Sequence, residues 1–243
     1  MLILGLDTAT RATTVTLMDT AGAPAVQLRD DPPRGQRPRH TTRLMALVVQ
    51  TLADAGRGWA DLDRIAVGTG PGTFTGLRIG VSTARALAAA RGLPLVGVST
   101  LHALALGAGA AAVADGREVL AVLDARRGEA FAAGWAAEHV LGPVAPPLLP
   151  AAALAPDALA QAAAAAGCGW LAVGEGAIEF REFLERSGGG RVLIPEDDSE
   201  LHRVSAIDHC RLAMSLIPQD PEDVRPEYLR LADAELSLRA RQP

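Results

Sequence analysis

Two stretches of this chain carry residue types that could handle a phosphate. In "LDTAT" (6–10) an aspartate, Asp7, ends an apolar run and is followed by Thr8, Ala9 and Thr10. A carboxylate at a strand end next to hydroxyl and small residues suits a metal-bound nucleotide, and the same aspartate could equally cap its own turn through Thr8 or Thr10. In "GPGTFTG" (70–76) the backbone amides of a glycine-rich turn lead into a helical pattern, which makes an anion site. The spacing fails the dinucleotide fingerprint, because after Gly70 and Gly72 the third glycine falls at Gly76, one residue late, and no lysine follows to complete a P-loop. A tight strand-to-helix turn that needs glycine for its backbone is the competing reading. Asp124 in "LDARRGEA" and the pair Gly174 and Gly176 in "VGEGA" echo the same theme later in the chain.

Other nucleophile and metal patterns are weak. His40 and His102 each lack a second histidine, cysteine or clustered carboxylate at ligand spacing; in "RHTTR" the i+4 position is Leu44. Ser82 and Ser99 sit in no nucleophile-elbow motif. The sequence has no lysine and no asparagine, and arginine supplies all 23 positive charges. That excludes lysine-dependent phosphate or Schiff-base chemistry. A formal net charge of −5 disfavours tight binding of nucleic acid by this chain alone. Arg34, Arg37, Arg39 and Arg43 cluster in a Pro-rich loop and read as a solvated basic surface. Two cysteines, Cys168 and Cys210, fit a reduced cytoplasmic setting with ordinary thiols. The sequence begins without a basic leader, and no apolar run reaches the ~18 residues of a membrane span.

The elements that must position these residues follow from periodicity. Residues 2–7, 12–19 and 25–30 read as a meander of strands; 41–55 has a helical apolar face; 64–70 reads as a strand entering the glycine corner; 75–91 reads as a helix. A strand over 93–100 and an Ala-rich helix over 101–113 complete a first lobe, 1–113. A second begins at 114 with a strand ending at Asp124 and a returning strand, continues through Pro/Ala-rich 142–169 with an exposed helix, and ends in an amphipathic helix over 204–217. An extended tail, 218–243, would pack back on the first lobe.

The helix over 75–91 carries a nearly side-chain-free stripe: Gly76, Gly80, Thr83, Ala84 and Ala88. Beside the wide apolar arc of 41–55, this suggests apolar surface kept for a partner, the alternative being two interior helices of one core. The interface expected on the first reading comprises His40, Leu44, Met45, Val48, Val49, Leu52, Gly76, Gly80, Thr83, Ala84 and Leu87. A charge at Val48 or Ala84 should then break docking and leave the chain folded.

"ILGLDTAT", His40 opening a Leu-rich helix, "GTGPGTFTGLRIG", "LVGVSTL", "LDARRGEAF", "VGEGA" and "RPEYLR" occur in the order of the TsaB (YeaZ) family, which the chain resembles over nearly its whole length. The resemblance implies an α/β fold of the actin, Hsp70 and sugar-kinase kind (ribonuclease H-like), with two similar lobes, each a mixed sheet with helices. It implies a non-catalytic subunit that docks through the first lobe's paired helices onto a TsaD-type transferase, which threonylcarbamoylates the adenosine beside the tRNA anticodon. A TsaE-type ATPase would join them, tRNA would be met only through the complex, and a homodimer through the same face is also implied. TsaD-like proteins carry a metal-binding histidine pair where this chain has Thr100 and Leu104. No metal or catalytic residue is therefore expected. Asp7, Thr8, Gly70, Gly72, Asp124, Gly174 and Gly176 would be a vestigial nucleotide site, with ATP or ADP bound only within the complex. A free-standing ATPase or small-molecule kinase of the same fold is the alternative.

Overall fold

The computed structural model of the chain describes residues 1–33, 35–140, 146–187 and 190–230. Arg34, residues 142–145 of the Pro/Ala-rich stretch and 231–243 of the expected tail lie outside these. The first sheet is built from β1 (Leu2–Asp7), β2 (Thr13–Asp19), β3 (Val26–Asp30), β4 (Arg64–Gly70) and β5 (Leu95–Ser99), in the order β3-β2-β1-β4-β5. β1 pairs antiparallel with β2 and parallel with β4. The second sheet comprises β6 (Glu118–Arg126), β7 (Glu129–Trp135), β8 (Leu149–Leu154), β9 (Trp170–Val173) and β10 (Val192–Leu193). Its order, β8-β7-β6-β9-β10, repeats the first, with the same antiparallel and parallel pairings about its central strand. The chain is thus an α/β protein of two lobes that share one ribonuclease H-like topology.

Side-chain alternation explains the layers. Along β1, Leu2, Leu4 and Leu6 face one core and Ile3 another, so the sheet needs helices on both sides. On one side lie α1 (His40–Asp54) and α2 (Phe74–Arg91). On the other lie α3 (Thr100–Ala114) and α7 (Ala206–Ala213). α3 is apolar all round: Ala103 and Leu106 pack on the first sheet, and Leu101, Leu104 and Ala108 on the second. A helix with no polar face belongs between two layers. The far side of the second sheet is covered by α4 (Pro156–Ala165), α5 (Glu175–Glu179) and α6 (Arg181–Ser187).

One placement differs from the sequence expectation. α7 follows the second lobe in the chain yet packs on the first sheet, where Cys210, Leu212 and Ala213 join Ile3, Ala66 and Val96. The segment after it also returns to the first lobe: Gln219 N–H donates to Leu95 O at 2.8 Å, covering the edge of β5, and Val224 is buried in the first core. Strands β8 and β10 and helices α5 and α6 were not expected. Pro150 sits in β8 at the sheet edge, where a missing N–H is tolerated.

The glycine corner joins α2 to the end of β1. Thr73 N–H donates to Ala9 O at 2.7 Å, and the Thr8 hydroxyl donates to Gly76 O at 2.7 Å. A Cβ on Gly76 would lie 2.0 Å from Thr8 O, and one on Gly80 would lie 2.3 Å from Thr8 Oγ1. The bare stripe of α2 is therefore the seat of the Thr8 turn. Gly76→Ala meets a backbone atom and is expected to lower stability by about 3 kcal/mol, while Gly80→Ala meets only a hydroxyl and costs about 1–2 kcal/mol. Adding Thr8→Ala should recover about 1 kcal/mol with Gly80→Ala and nothing with Gly76→Ala, a coupling that urea unfolding of the single and double variants measures.

Candidate functional site

Asp7 is the best-defined ionisable group of the first lobe, and it is 1% exposed. Its Oδ1 accepts the Ala9 N–H at 2.8 Å and its Oδ2 accepts the Thr100 hydroxyl at 3.1 Å, which ties the end of β1 to the start of α3. His209 of α7, fully buried, places Nε2 3.1 Å from the same Oδ2. With the imidazole protonated the contact is an ion pair between two buried groups. His209 Nδ1 lies 3.0 Å from Ser205 O. Burial pushes the Asp7 carboxyl up, but His209, the Ala9 N–H and Thr100 together outweigh it and hold the carboxyl below its ordinary 3.8. Burial likewise works against the charged imidazole of His209, and Asp7 and the Ser205 carbonyl reverse the balance, raising it above 6.5. His209 had no sequence signal of its own; its only mark is a place on the apolar face of a short amphipathic helix, beside Ala206, Cys210 and Ala213.

The other residues expected to hold a nucleotide fall into two groups. Thr8 follows Asp7 and Gly72 packs on the same turn, where a Cβ on Gly72 would lie 2.5 Å from Ala9 O, whereas Gly70 faces Glu227 O and Leu77. The two turns are thus in direct contact, with Ala9 seated against Gly72. In the second lobe β6 runs on to Arg126, two residues past the expected end at Asp124, and the Asp124 carboxylate is taken by the Arg126 N–H at 2.7 Å and the Arg126 guanidinium at 2.9 Å. Gly174, at φ 108°, and Gly176 bring α5 down onto β6; a Cβ on Gly174 would lie 2.1 Å from Val122 O. No hydrogen bond or ion pair joins Asp124 to the Asp7 group among the described residues.

His40 opens α1 but turns inward, with Nδ1 2.9 Å from the Thr13 hydroxyl; burial lowers its pKa against the pull of Asp7. Arg39 and Arg43 turn onto the buried Asp30, so half of the arginine cluster neutralises an internal carboxylate. His102 stacks on Trp135 with ring centroids 5.0 Å apart.

The expected interface is corrected by burial. Leu44, Val48, Leu52 and Ala84 lie in the first core, Val48 and Ala84 with no exposure at all, and Gly76 and Gly80 face Thr8. A charge at Val48 or Ala84 would enter this core and cost about 3–5 kcal/mol of folding, so neither can report on docking alone. What α1 offers outward is Met45, 40% exposed, and Val49, 54% exposed, one helical turn apart. Thr83 and Leu87 form a half-buried line on α2.

The family model described as "TsaD: tRNA N6-adenosine threonylcarbamoyltransferase" matches residues 32–165, just over half of the chain. The chain belongs to the TsaD family, on its TsaB/YeaZ branch. It is 41% identical over 137 residues to the tRNA threonylcarbamoyladenosine biosynthesis protein TsaB of Escherichia coli strain K12, covering 56% of this chain and 54% of that protein. A shorter stretch of 67 residues is 52% identical to the tRNA N6-adenosine threonylcarbamoyltransferase of Cereibacter sphaeroides, covering 27% of this chain and 18% of that protein. The chain thus matches only about half the length of the TsaB relative. The crystal structure of YeaZ from Pseudomonas aeruginosa superposes with a TM-score of 0.73 at 26% identity, covering 93% of this chain and all of that one. No helix among the described residues is long and apolar enough to cross a membrane.

In this TsaB/YeaZ-like chain the Asp7–His209 pair sets a stability window. The His209 contribution is complete below about 6.5 and is lost as pH rises through its raised folded value; that of Asp7 is complete above about 3.8 and is lost as pH falls through its lowered one. Urea unfolding across pH should therefore show a plateau between these limits. His209→Gln should cost about 3–5 kcal/mol on that plateau and flatten the alkaline decline, and adding Asp7→Asn should recover part of the loss. An unchanged alkaline slope in His209→Gln would assign the titration to another group.

Proposed function

We propose that this chain is the non-catalytic partner subunit of a TsaD-type transferase and supports threonylcarbamoyl transfer to the adenosine beside the tRNA anticodon. The observation that carries this reading is the internal commitment of the strand-end chemistry: Asp7 is buried, ion-paired to His209 and bonded to Thr100. Thr100 and Leu104 stand where TsaD-like proteins are expected to carry their histidine pair, and Leu104 is part of the core beside the second sheet. An imidazole ligand cannot be replaced by either side chain. The names of the relatives support the same pathway, since the E. coli protein is a tRNA threonylcarbamoyladenosine biosynthesis protein.

The docking face on this reading is the outward side of α1 and α2, centred on Met45 and Val49 with Thr83 and Leu87 beside them. A TsaE-type ATPase would bind the assembled pair, tRNA would be held by the complex, and any ATP or ADP would be bound there rather than by this chain alone. A second copy of the chain would compete for the same face.

The test is a paired substitution, Met45→Asp with Val49→Asp. Both side chains are solvent-facing, so the variant should keep its thermal unfolding midpoint. It should lose co-purification with the TsaD-type subunit, an affinity loss of about two orders or more, and cells relying on it should carry tRNA without threonylcarbamoyladenosine by mass spectrometry. Undiminished co-purification would overturn the docking face.

A further inference from the structure

A cleft of about 670 Å³ lies between the flank of α2 and the segment after Val224, lined among others by Arg78, Ser82, Arg85, Glu222, Arg225 and Tyr228. We propose that this cleft is a docking groove for an acidic segment of a partner protein. Arg78 and Arg85 are seven residues apart on α2, two helical turns or about 10 Å, so they stand in a row along one wall. Arg225 rises from the other wall. Arg85 is half-buried and Arg225 exposed, and neither has a hydrogen-bond or ion-pair partner among the described residues. Several other arginines are answered by carboxylates: Arg39 and Arg43 by Asp30, Arg181 by Asp197, Arg211 by Asp208.

Arg78 is held ready rather than neutralised. Its guanidinium lies 3.9 Å over the Phe74 ring and its Nε donates to the Tyr228 hydroxyl at 3.4 Å, while the Phe74 and Tyr228 rings meet tilted by 30° with centroids 5.3 Å apart. Both rings are more than a third exposed, and Val81, Pro226 and Tyr228 give the groove apolar surface beside its charges. With Glu222 as the one carboxylate among these lining residues, the groove carries a local positive excess on a chain of net charge −5. Arginine forks match carboxylates two bonds at a time. Glu222, with Asp220 and Asp223 close by in sequence, offsets part of this charge for any anion, and a continuous phosphodiester strand fits less well because a chain of net charge −5 gives it no extended basic surface beyond the three arginines. The groove is distinct from the Met45–Val49 face, so its test stands whether or not that face binds a transferase.

The experiment is fluorescence anisotropy of the full chain with labelled oligoglutamate at low salt, and with labelled oligouridylate of equal charge. Oligoglutamate should bind more tightly than oligouridylate, and its affinity should fall about tenfold in Arg85→Ala with Arg225→Ala, and further on added salt. Both arginines are unpaired, so circular dichroism melting of the double variant should match the parent. The single Arg225→Ala change, on the exposed tail, should give an intermediate loss. Equal binding of oligoglutamate to parent and variants, or tighter arginine-dependent binding of oligouridylate, would overturn the proposal.

Discussion

Two opposite charges that water cannot reach, Asp7 and His209, hold this molecule in its observed arrangement. An isolated carboxylate at that depth would be driven to take up a proton, and an isolated imidazolium to release one. Each stays charged because the other is 3.1 Å away. The consequence is topological: α7 must cross back from the second lobe to the first sheet to deliver the imidazole, and the segment that follows is carried to the edge of β5. Gly68 is part of the same constraint, since a Cβ there would lie 1.7 Å from Asp7 Oδ2.

The two lobes share one strand order, and the central strand of each carries an aspartate near its C-terminal end, yet they satisfy it differently. In the first lobe the carboxylate is buried and answered by a residue two hundred positions away in the chain; in the second it is half-exposed and answered by Arg126 within its own turn. Duplicated architecture therefore does not carry duplicated chemistry. A strand end in an α/β sheet is a ready place for a functional group, and what is done with it depends on the side chains that arrive from elsewhere.

Much of the architecture is legible from alternation and helical periodicity: the meander, the helix faces of α1 and α2, and the Ala-rich α3. The shorter pieces were not, because β10 and α5 are too brief to show a period, and the Ala- and Pro-rich composition around β8 fits several states. The site was legible only as a list of suspects. Asp7, Thr8 and Gly72 do come together, but spacing could not reveal His209, whose partner is set by tertiary folding alone. The stripe of Gly76, Gly80 and Ala84 was read as surface left bare for a neighbour. Small residues signal that some backbone or core comes close, and here it is the chain's own Thr8 turn and first core.

α3 is sandwiched between the first sheet, on the face away from α1 and α2, and the second sheet. Prising the lobes apart would wet Leu101 and Leu104 if that rod stayed with the first sheet, or Leu106 if it stayed with the second. Any opening between the halves therefore carries the cost of wetting apolar side chains of this one helix.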